Sequence, residues 1–408
     1  MNQCLSCGAT KVEPFLDLGM VPLANALLEQ PPAQPGAEFR ARLEVGYCHA
    51  CSLVQLTHLV PPERLFSEYF YFSSFSDEFL RHAKLYVDDL VTRFSLGKDS
   101  FVVEVASNDG YLLKNVVARG MKALGVEPAK NIAKVAVANG VPTLNDFFGP
   151  ESAQKIAAEH GKADVVLGNN VLAHVPKLVP FLTAARDLLK PAGVCVWEFP
   201  WLRELVRGLE FDTIYHEHVF YFSLGALRNA ARLAGLEVFD VAPQKVHGGS
   251  LRVFLARPGT HQVTAEVDRI LNLEKNEGLL SWPAFSHFGA RVAGLRTELR
   301  DLLGKLKKAG KSIVAYGASA KGSTLINYCG IGKETLDYIV DRSTVKQGKF
   351  APGVHLPILP ADELARRRPD YALLLAWNFA DEIRKQQRGY EQEGGHFIVP
   401  VPKPRVVG

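Results

Sequence analysis

From Phe101 onward the hydrophobic positions fall into short unbroken runs separated by stretches of helical spacing. Phe101-Val102-Val103-Glu104-Val105 is the first run, and its lack of alternation suits a strand buried on both faces of a parallel sheet. A small polar turn follows, Ala106-Ser107-Asn108-Asp109-Gly110, and then Leu112, Leu113, Val116 and Val117 recur on one helical face. The next apolar step, 121–126, ends on Glu127. The rhythm continues with a helix over 131–139, a short strand at 143–148 with an aromatic tail, and a buried run at 163–167 closing on Gly168, Asn169 and Asn170. A helix over 179–189 and a strand over 194–199 complete an alternation that predicts a doubly wound parallel sheet. A second strand-turn-helix opens at 311–327, with further apolar runs at 336–341 and 370–378, and predicts a smaller Rossmann-type sheet. Between them, an amphipathic helical stretch over about 263–307, broken near Pro283, reads as a connector. No internal repeat stands out.

Upstream the pattern changes. Alternation over 39–47 predicts a strand among proline-rich segments, flanked by Cys4-x-x-Cys7 and Cys48-x-x-Cys51. Two such pairs supply four thiolates, the donor set of a closed tetrahedral zinc site with an architectural role. A redox use of either pair would need a surrounding thioredoxin-like unit, which the pattern lacks. Pro61-Pro62 closes this module, and an aromatic run follows over 66–75. If that run is extended, Tyr69 and Tyr71 share one face and Phe70 and Phe72 the other. It serves either as an anchored linker or as a source of phenols for a cleft between domains. The expected architecture is α/β in three parts: a zinc-binding module over 1–66, a Rossmann-like parallel-sheet domain over 67–258, and a smaller Rossmann-like substrate domain over 259–408.

Composition narrows the class. The chain has 408 residues, 47% of them hydrophobic, enough for roughly two or three domains with a substantial core. The net charge of +4 is dispersed with no Lys/Arg block, so no nucleic-acid footprint is expected. The sequence shows no signal-peptide pattern and no run of the ~18 apolar residues that a membrane span needs. A cytoplasmic protein without a membrane partner is expected. Six cysteines, unevenly placed, do not form a disulfide framework.

The turns carry the chemistry. The first lacks G-x-G-x-x-G and is flanked by Glu104 and Asp109, which a phosphate would avoid. A ligand with a positive centre and a ribose fits better, and S-adenosylmethionine is such a ligand, with Glu127 placed for the ribose hydroxyls. The alternative is an ordinary βαβ unit with a chance acid. Tyr215-His216-Glu217-His218 sets ionisable and phenolic groups among apolar neighbours, where they are costly to bury unpaired. In an extended segment His216 and His218 would share a face, with Tyr215 and Glu217 on the other. A metal there lacks a third ligand at good spacing, whereas a histidine near a carboxylate suits general-base work. His247-Gly248-Gly249 forms a turn entering a strand. The turn after 311–316 offers backbone N–H groups, Lys321 and the hydroxyls of Ser319, Ser323 and Thr324 to a phosphate-bearing ligand.

Taken together, the paired Cys-x-x-Cys module, VVEVASNDGYLL, GVEPAKNIA, NNVLAHVP, YHEH, HGGSLR, YGASAKGSTLIN and VDRSTVKQGKFAPG give a chain that resembles the sugar C-methyltransferases of bacterial deoxysugar pathways. These enzymes methylate C-3 of a nucleotide-linked 4-keto-6-deoxyhexose. Ala106 departs from the glycine usual in the first motif. The resemblance implies that His218 removes the C-3 proton, Glu217 assists it, and Tyr215 with Tyr71 stabilises the enolate or relays the proton. It implies that Glu104, Ala106, Asn108, Gly110, Glu127, Pro128, Asn145 and Asn169 surround the S-adenosylmethionine. Tyr69, His174, His216, His247, Arg252, Ser319, Lys321 and Lys346 would meet a dTDP- or GDP-linked sugar, with Arg252 and the 319–321 turn on its diphosphate. Zn2+ would sit on the four cysteines, in a monomer or weak oligomer. One rival is an NAD(P)-dependent oxidoreductase acting on a sugar nucleotide, because Asp341 lies about 20 residues past the 317–322 turn. Another is a zinc-knuckle module for nucleic acid, against which the dispersed charge argues.

Overall fold

The computed structural model describes residues 3–34, 36–66, 74 and 77–408. Tyr69 and Tyr71 lie outside the described residues. Near the N-terminus, β1 (Val12–Pro22), β2 (Arg40–Cys48) and β3 (Val54–Leu56) form an antiparallel meander, with Val12 opposite Cys48 and Val45 opposite Leu56. The central sheet contains β4 (Phe101–Val105), β5 (Lys122–Val126), β6 (Thr143–Leu144), β7 (Ala163–Asn169) and β8 (Leu189–Pro200). β9 (Phe220–Tyr221) leaves it to pair with β3, while β10 (Glu237–Gln244) and β11 (Ser250–Ala256) complete it in the order β10-β11-β8-β7-β4-β5-β6. Its edge pair β10 and β11 is antiparallel. The third sheet, order β14-β13-β12-β15-β16-β17, uses β12 (Ile313–Tyr316), β13 (Ile339–Asp341), β14 (Ile358–Pro360), β15 (Tyr371–Leu374), β16 (His396–Val399) and β17 (Arg405–Val407).

The unbroken apolar runs are buried on both faces, as their composition requires. Val103, Val105, Trp197 and Phe199 pack with residues of the helices Leu178–Leu188 and Leu224–Leu233. Their neighbours Val102, Val165 and Val196 meet Ala83, Tyr86 and Leu90 of the helix Asp77–Phe94 on the opposite face. Because side chains alternate along a strand, Glu104 and Glu198 are set on this second face. The predicted strand at 143–148 is only two residues long and stops at Leu144. The connector consists of helices Ala265–Asn276, Pro283–Ser286 and Phe288–Lys308.

The structure also shows a repeat that the sequence conceals. β6-β5-β4-β7-β8 and β14-β13-β12-β15-β16 share one topology, and an antiparallel strand follows at the same edge, β11 on β8 and β17 on β16. Parallel strands need only apolar burial, so matching topology leaves little identity behind.

The N-terminal module is stitched to the segment after the 215–218 tetrad and to the connector. β3 pairs with β9, placing Val54 opposite Tyr221 and Gln55 opposite Phe220. On the other side, Tyr47 stacks on Phe285 at 4.9 Å, and Phe15 lies 5.0 Å from the same ring. Among the described residues no helix is long and apolar enough to cross a membrane.

Candidate active site

The turn after β4 is forced into a tight reversal, with φ of +53° at Ala106, +51° at Asn108 and +78° at Gly110. Gly110 is required, since a Cβ there would lie 2.8 Å from Val141 Cγ2. Ala106 tolerates the left-handed conformation at a cost of roughly 1 kcal/mol. Net of the freer unfolded chain, Ala106→Gly is accordingly expected to raise stability by about 0.5 kcal/mol in urea unfolding. The reversal aims the Asn108 amide at Glu127, which stands just past β5. Glu127 Oε2 accepts from Asn108 N at 3.0 Å and Oε1 from Ala129 N at 2.9 Å. Burial pushes its carboxyl up, and these two amides oppose the shift. Asn145 is not a wall of the site. It is exposed, and its Nδ2 donates to the carbonyls of Glu127 at 2.8 Å and Pro128 at 3.0 Å, holding the loop that carries the acid.

Above this turn lies a cleft lined among others by Ala106, Asn108, Glu127, Phe148, Asn169 and His174. Pro128 and Tyr111 also line it. Tyr111 stacks on Phe79 at 4.9 Å and accepts from Asn169 Nδ2 at 3.1 Å. Among the described residues Glu104, 1% exposed and buried nearby on β4, has no hydrogen-bond partner for either oxygen, and Asp109 Oδ1, Asn169 Oδ1 and Asn170 Oδ1 are likewise buried without one. Burial, then the proximity of Asp109 and Glu127, drives Glu104 well above the usual carboxylate range. Buried acceptors of this kind are costly without a donor or a cation. They fit the ammonium and sulfonium of S-adenosylmethionine, with the Glu127 carboxylate left to accept from ribose hydroxyls.

The 215–218 segment is not extended. His218 N donates to Tyr215 O at 2.9 Å, closing a turn that brings those two side chains together and sends the middle pair the other way. The Tyr215 and His218 rings lie 4.0 Å apart, with Tyr215 Oη and His218 Nε2 separated by 2.8 Å. His218 Nδ1 is 3.0 Å from Thr213 O, and a carbonyl only accepts, so a hydrogen sits on Nδ1 and Nε2 is the nitrogen turned to the Tyr215 hydroxyl. His174 meets the His218 ring edge-on at 4.9 Å, and burial holds it down to about 4, so it is neutral. The substrate role expected of His216 is not supported: it is 2% exposed and its Nε2 faces Ala41 O at 3.2 Å in the N-terminal module. Glu217 also turns to that module, where its Oε1 accepts from Asn25 Nδ2 at 2.7 Å.

Burial pushes Glu217 up to about 7 from 4.5. A folded value above the unfolded one means stability is fully present below about pH 4.5 and is lost as pH rises toward 7. Glu217→Gln, which stays neutral, should therefore gain up to about 3 kcal/mol over the parent between pH 5 and pH 8. Thermal melts across that range check this.

The second turn differs from expectation. Ser319 Oγ accepts from Gly322 N at 3.1 Å and lies 3.4 Å from Leu375 O, to which it donates, so the hydroxyl caps the helix Ala320–Cys329 and is not free for a ligand. Lys346 Nζ donates to Ala318 O at 2.8 Å and braces the same turn. Lys321 reaches toward Glu210, 3.9 Å away, and lies 5.1 Å from the Trp377 ring. Arg252 is far from a diphosphate role. Its guanidinium is 2.8 Å from Glu198, 3.4 Å above the Tyr86 ring, and the residue is 5% exposed. The backbone of His247 belongs to the short turn Val246–Gly248.

Asp341 reproduces Glu127. Its Oδ2 accepts from Ala318 N and its Oδ1 from Ser343 N, both at 2.7 Å, and Gln347 Nε2 donates to its carbonyl at 2.9 Å as Asn145 does for Glu127. Glu210, Asp212 and Trp377 escaped sequence reasoning because no motif contains them. Only the apolar setting of Asp212 ahead of the tetrad hinted at a buried charge.

At the N-terminus the four cysteines converge, with all Sγ atoms within 4.8 Å of one another. Cys4 and Cys51 are 3.6 Å apart and Cys7 and Cys48 3.7 Å. A tetrahedron of Zn–S bonds of about 2.3 Å has edges of about 3.8 Å, so the residues fit zinc and leave no open coordination position.

A parallel sheet with an acid just past its second strand and a phosphate-averse turn, joined to a tetrathiolate module, is the build of an S-adenosylmethionine-dependent methyltransferase with a structural zinc site. Residues 4–66 match a zinc binding domain, 79–241 a methyltransferase domain, and 245–402 the C-methyltransferase C-terminal domain. Over its whole length the chain is 37% identical to the C-methyltransferase NovU of Streptomyces niveus, covering 97% of that protein. A ubiquinone biosynthesis O-methyltransferase of Roseobacter denitrificans is 30% identical over 96 residues, 23% of this chain and 39% of that one. Among solved structures, magnesium protoporphyrin IX methyltransferase from Synechocystis PCC 6803 is similar over 44% of this chain and 79% of that one, at 14% identity and a TM-score of 0.34. The chain belongs to the C-methyltransferase family.

Proposed function

We propose that the protein methylates C-3 of a nucleotide-linked 4-keto-6-deoxyhexose. The observation that carries this reading is the His218 imidazole, with Nδ1 fixed on the Thr213 carbonyl and Nε2 against the Tyr215 hydroxyl. A ketone acidifies the adjacent C–H, and a neutral imidazole is a base matched to that step near neutrality. His218 Nε2 takes the proton, while Tyr215, with Tyr71 as the resemblance implies, donates to the developing enolate oxygen. The imidazolium keeps its Nδ1–H on the Thr213 carbonyl, which holds the ring in register. S-adenosylmethionine, when bound in the cleft, supplies the methyl group to the deprotonated carbon. Glu127 orients it through the ribose, and the buried acceptors Glu104, Asp109 and Asn169 favour its cationic end.

For the nucleotide, the first N–H groups of the helix Ala320–Cys329 suit a diphosphate, and Asp341, presented as Glu127 is, suits a sugar hydroxyl of the nucleoside. The domain over 259–408 is then the substrate-binding one, with the dTDP- or GDP-linked nucleotide on it.

Two experiments test this. Deuterium wash-in from D2O at C-3 of a dTDP-linked 4-keto-6-deoxyhexose, with S-adenosylhomocysteine in place of the donor, should require His218. Exchange at C-5, the other carbon next to the ketone, would move the reaction there, and exchange unaffected by His218→Asn would remove this residue as the base. Separately, Glu127→Ala should weaken donor binding roughly 10- to 100-fold by calorimetry.

A further inference from the structure

Glu210 and Lys321 face each other where the central and C-terminal parts of the chain meet, and among the described residues neither has a hydrogen-bonded ion partner. Glu210 is 8% exposed, and among the described residues Lys321 Nζ, 3.9 Å away, is the one cation paired with its carboxylate. Among the described residues the buried Lys321 Nζ has no hydrogen-bond partner. Such groups are expensive to keep unless a ligand completes them. The Glu210 carboxylate lies against Gly248, where a Cβ would come within 3.1 Å of Oε1 and 3.2 Å of Oε2, which explains a glycine at that place in the HGG turn. Glu210 also lines the same pocket as His218, Thr213 and Gly249. Trp377 stands over Lys321, held by its Nε1 donating to Asp212 Oδ2 at 2.6 Å, and Asp212 is wholly buried.

These groups do not suit a phosphate. Glu210 and Asp212 both bear on Lys321, so a diphosphate brought to its ammonium would meet two carboxylates. They do suit a pyranose: a carboxylate accepts from hydroxyls, an ammonium donates to them, and an indole covers the apolar C–H face. Burial pushes Glu210 up to about 7 with Lys321 opposing, so the carboxyl can either accept or donate near neutrality.

We propose that Glu210, Lys321 and Trp377 form the subsite that recognises the ring hydroxyls of the hexose beside His218, with Asp212 as the positioning residue for Trp377. This rests on the sugar-nucleotide reading above and corrects the expectation that Lys321 holds the diphosphate.

The test is titration of the full-length protein with a dTDP-linked 4-keto-6-deoxyhexose and with dTDP alone, and with the GDP pair. Glu210→Gln should weaken the sugar nucleotide roughly tenfold or more and leave the free diphosphate within about twofold. In turnover, KM should rise with kcat held within about threefold. Trp377→Leu should show the same split, with a melting temperature verifying the fold. Equal affinities for the sugar nucleotide in parent and Glu210→Gln would overturn the subsite. So would tighter binding of free dTDP or GDP to Glu210→Gln, because that places the diphosphate against Lys321. If the parent protein binds S-adenosylmethionine but none of the four nucleotide probes, the sugar-nucleotide reading itself fails and takes the subsite with it.

Discussion

His218→Asn is expected to lower kcat by about 10²–10⁴ while the affinity for S-adenosylmethionine stays within about twofold. The donor cleft is lined by Pro62, Phe79 and residues between 105 and 181, and His218 itself does not line it but meets its edge through the His174 ring. Asparagine keeps a side chain that can reach the Thr213 carbonyl but has no nitrogen lone pair to accept a proton. Tyr215→Phe should cost less, because it removes the hydroxyl 2.8 Å from Nε2 and leaves the base in place. Stopped-flow turnover and calorimetric donor binding, done on the same preparations, separate the two effects. Loss of donor affinity in step with kcat would mean that His218 acts on the cofactor site and not on the acceptor.

Removal of the metal should abolish turnover with donor binding largely retained. The tetrathiolate closes the ends of the module from which β3 reaches across to β9, immediately after His218. Leu56 N also donates to Val219 O at 2.8 Å, Asn25 holds Glu217, and Ala41 O receives His216. The proposed base is thus positioned by a module whose fold depends on its ion. Structural zinc contributes about 10–16 kcal/mol in small zinc peptides, so its loss should release this whole edge. Chelation or Cys48→Ser is expected to reduce kcat at least about a hundredfold, with recovery of the chelated protein on adding zinc. Unchanged kcat in demonstrably zinc-free protein would reduce the module to a passenger.

The sheets were readable from sequence because a doubly covered parallel strand has to be apolar, and 101–105, 163–167 and 194–199 are. Glu127 was readable because it ends such a strand at a set distance from the turn. The cysteine spacing stood out because few other structures use two such pairs. The side-chain directions in 215–218 were not legible. Alternation assumes an extended chain, and one backbone hydrogen bond from His218 N to Tyr215 O reverses which residues share a side. Ser319 and Arg252 looked available because a sequence does not show that a hydroxyl is spent on a helix cap or a guanidinium on a buried glutamate. Glu210 and Trp377 are 167 residues apart and meet near Lys321 only through the packing of two sheets. Nothing local marks them.

The central claim is that a carbanion next to a sugar ketone takes the methyl group. Its most direct test is incubation of the zinc-loaded protein with S-adenosylmethionine carrying a ¹³C-methyl group and a dTDP- or GDP-linked 4-keto-6-deoxyhexose, followed by NMR of the isolated product. The predicted result is a new carbon–carbon bond, with the labelled methyl coupled to C-3 and one ring proton lost. A label attached to oxygen, or no transfer to any 4-keto sugar nucleotide while donor binding is intact, would contradict it.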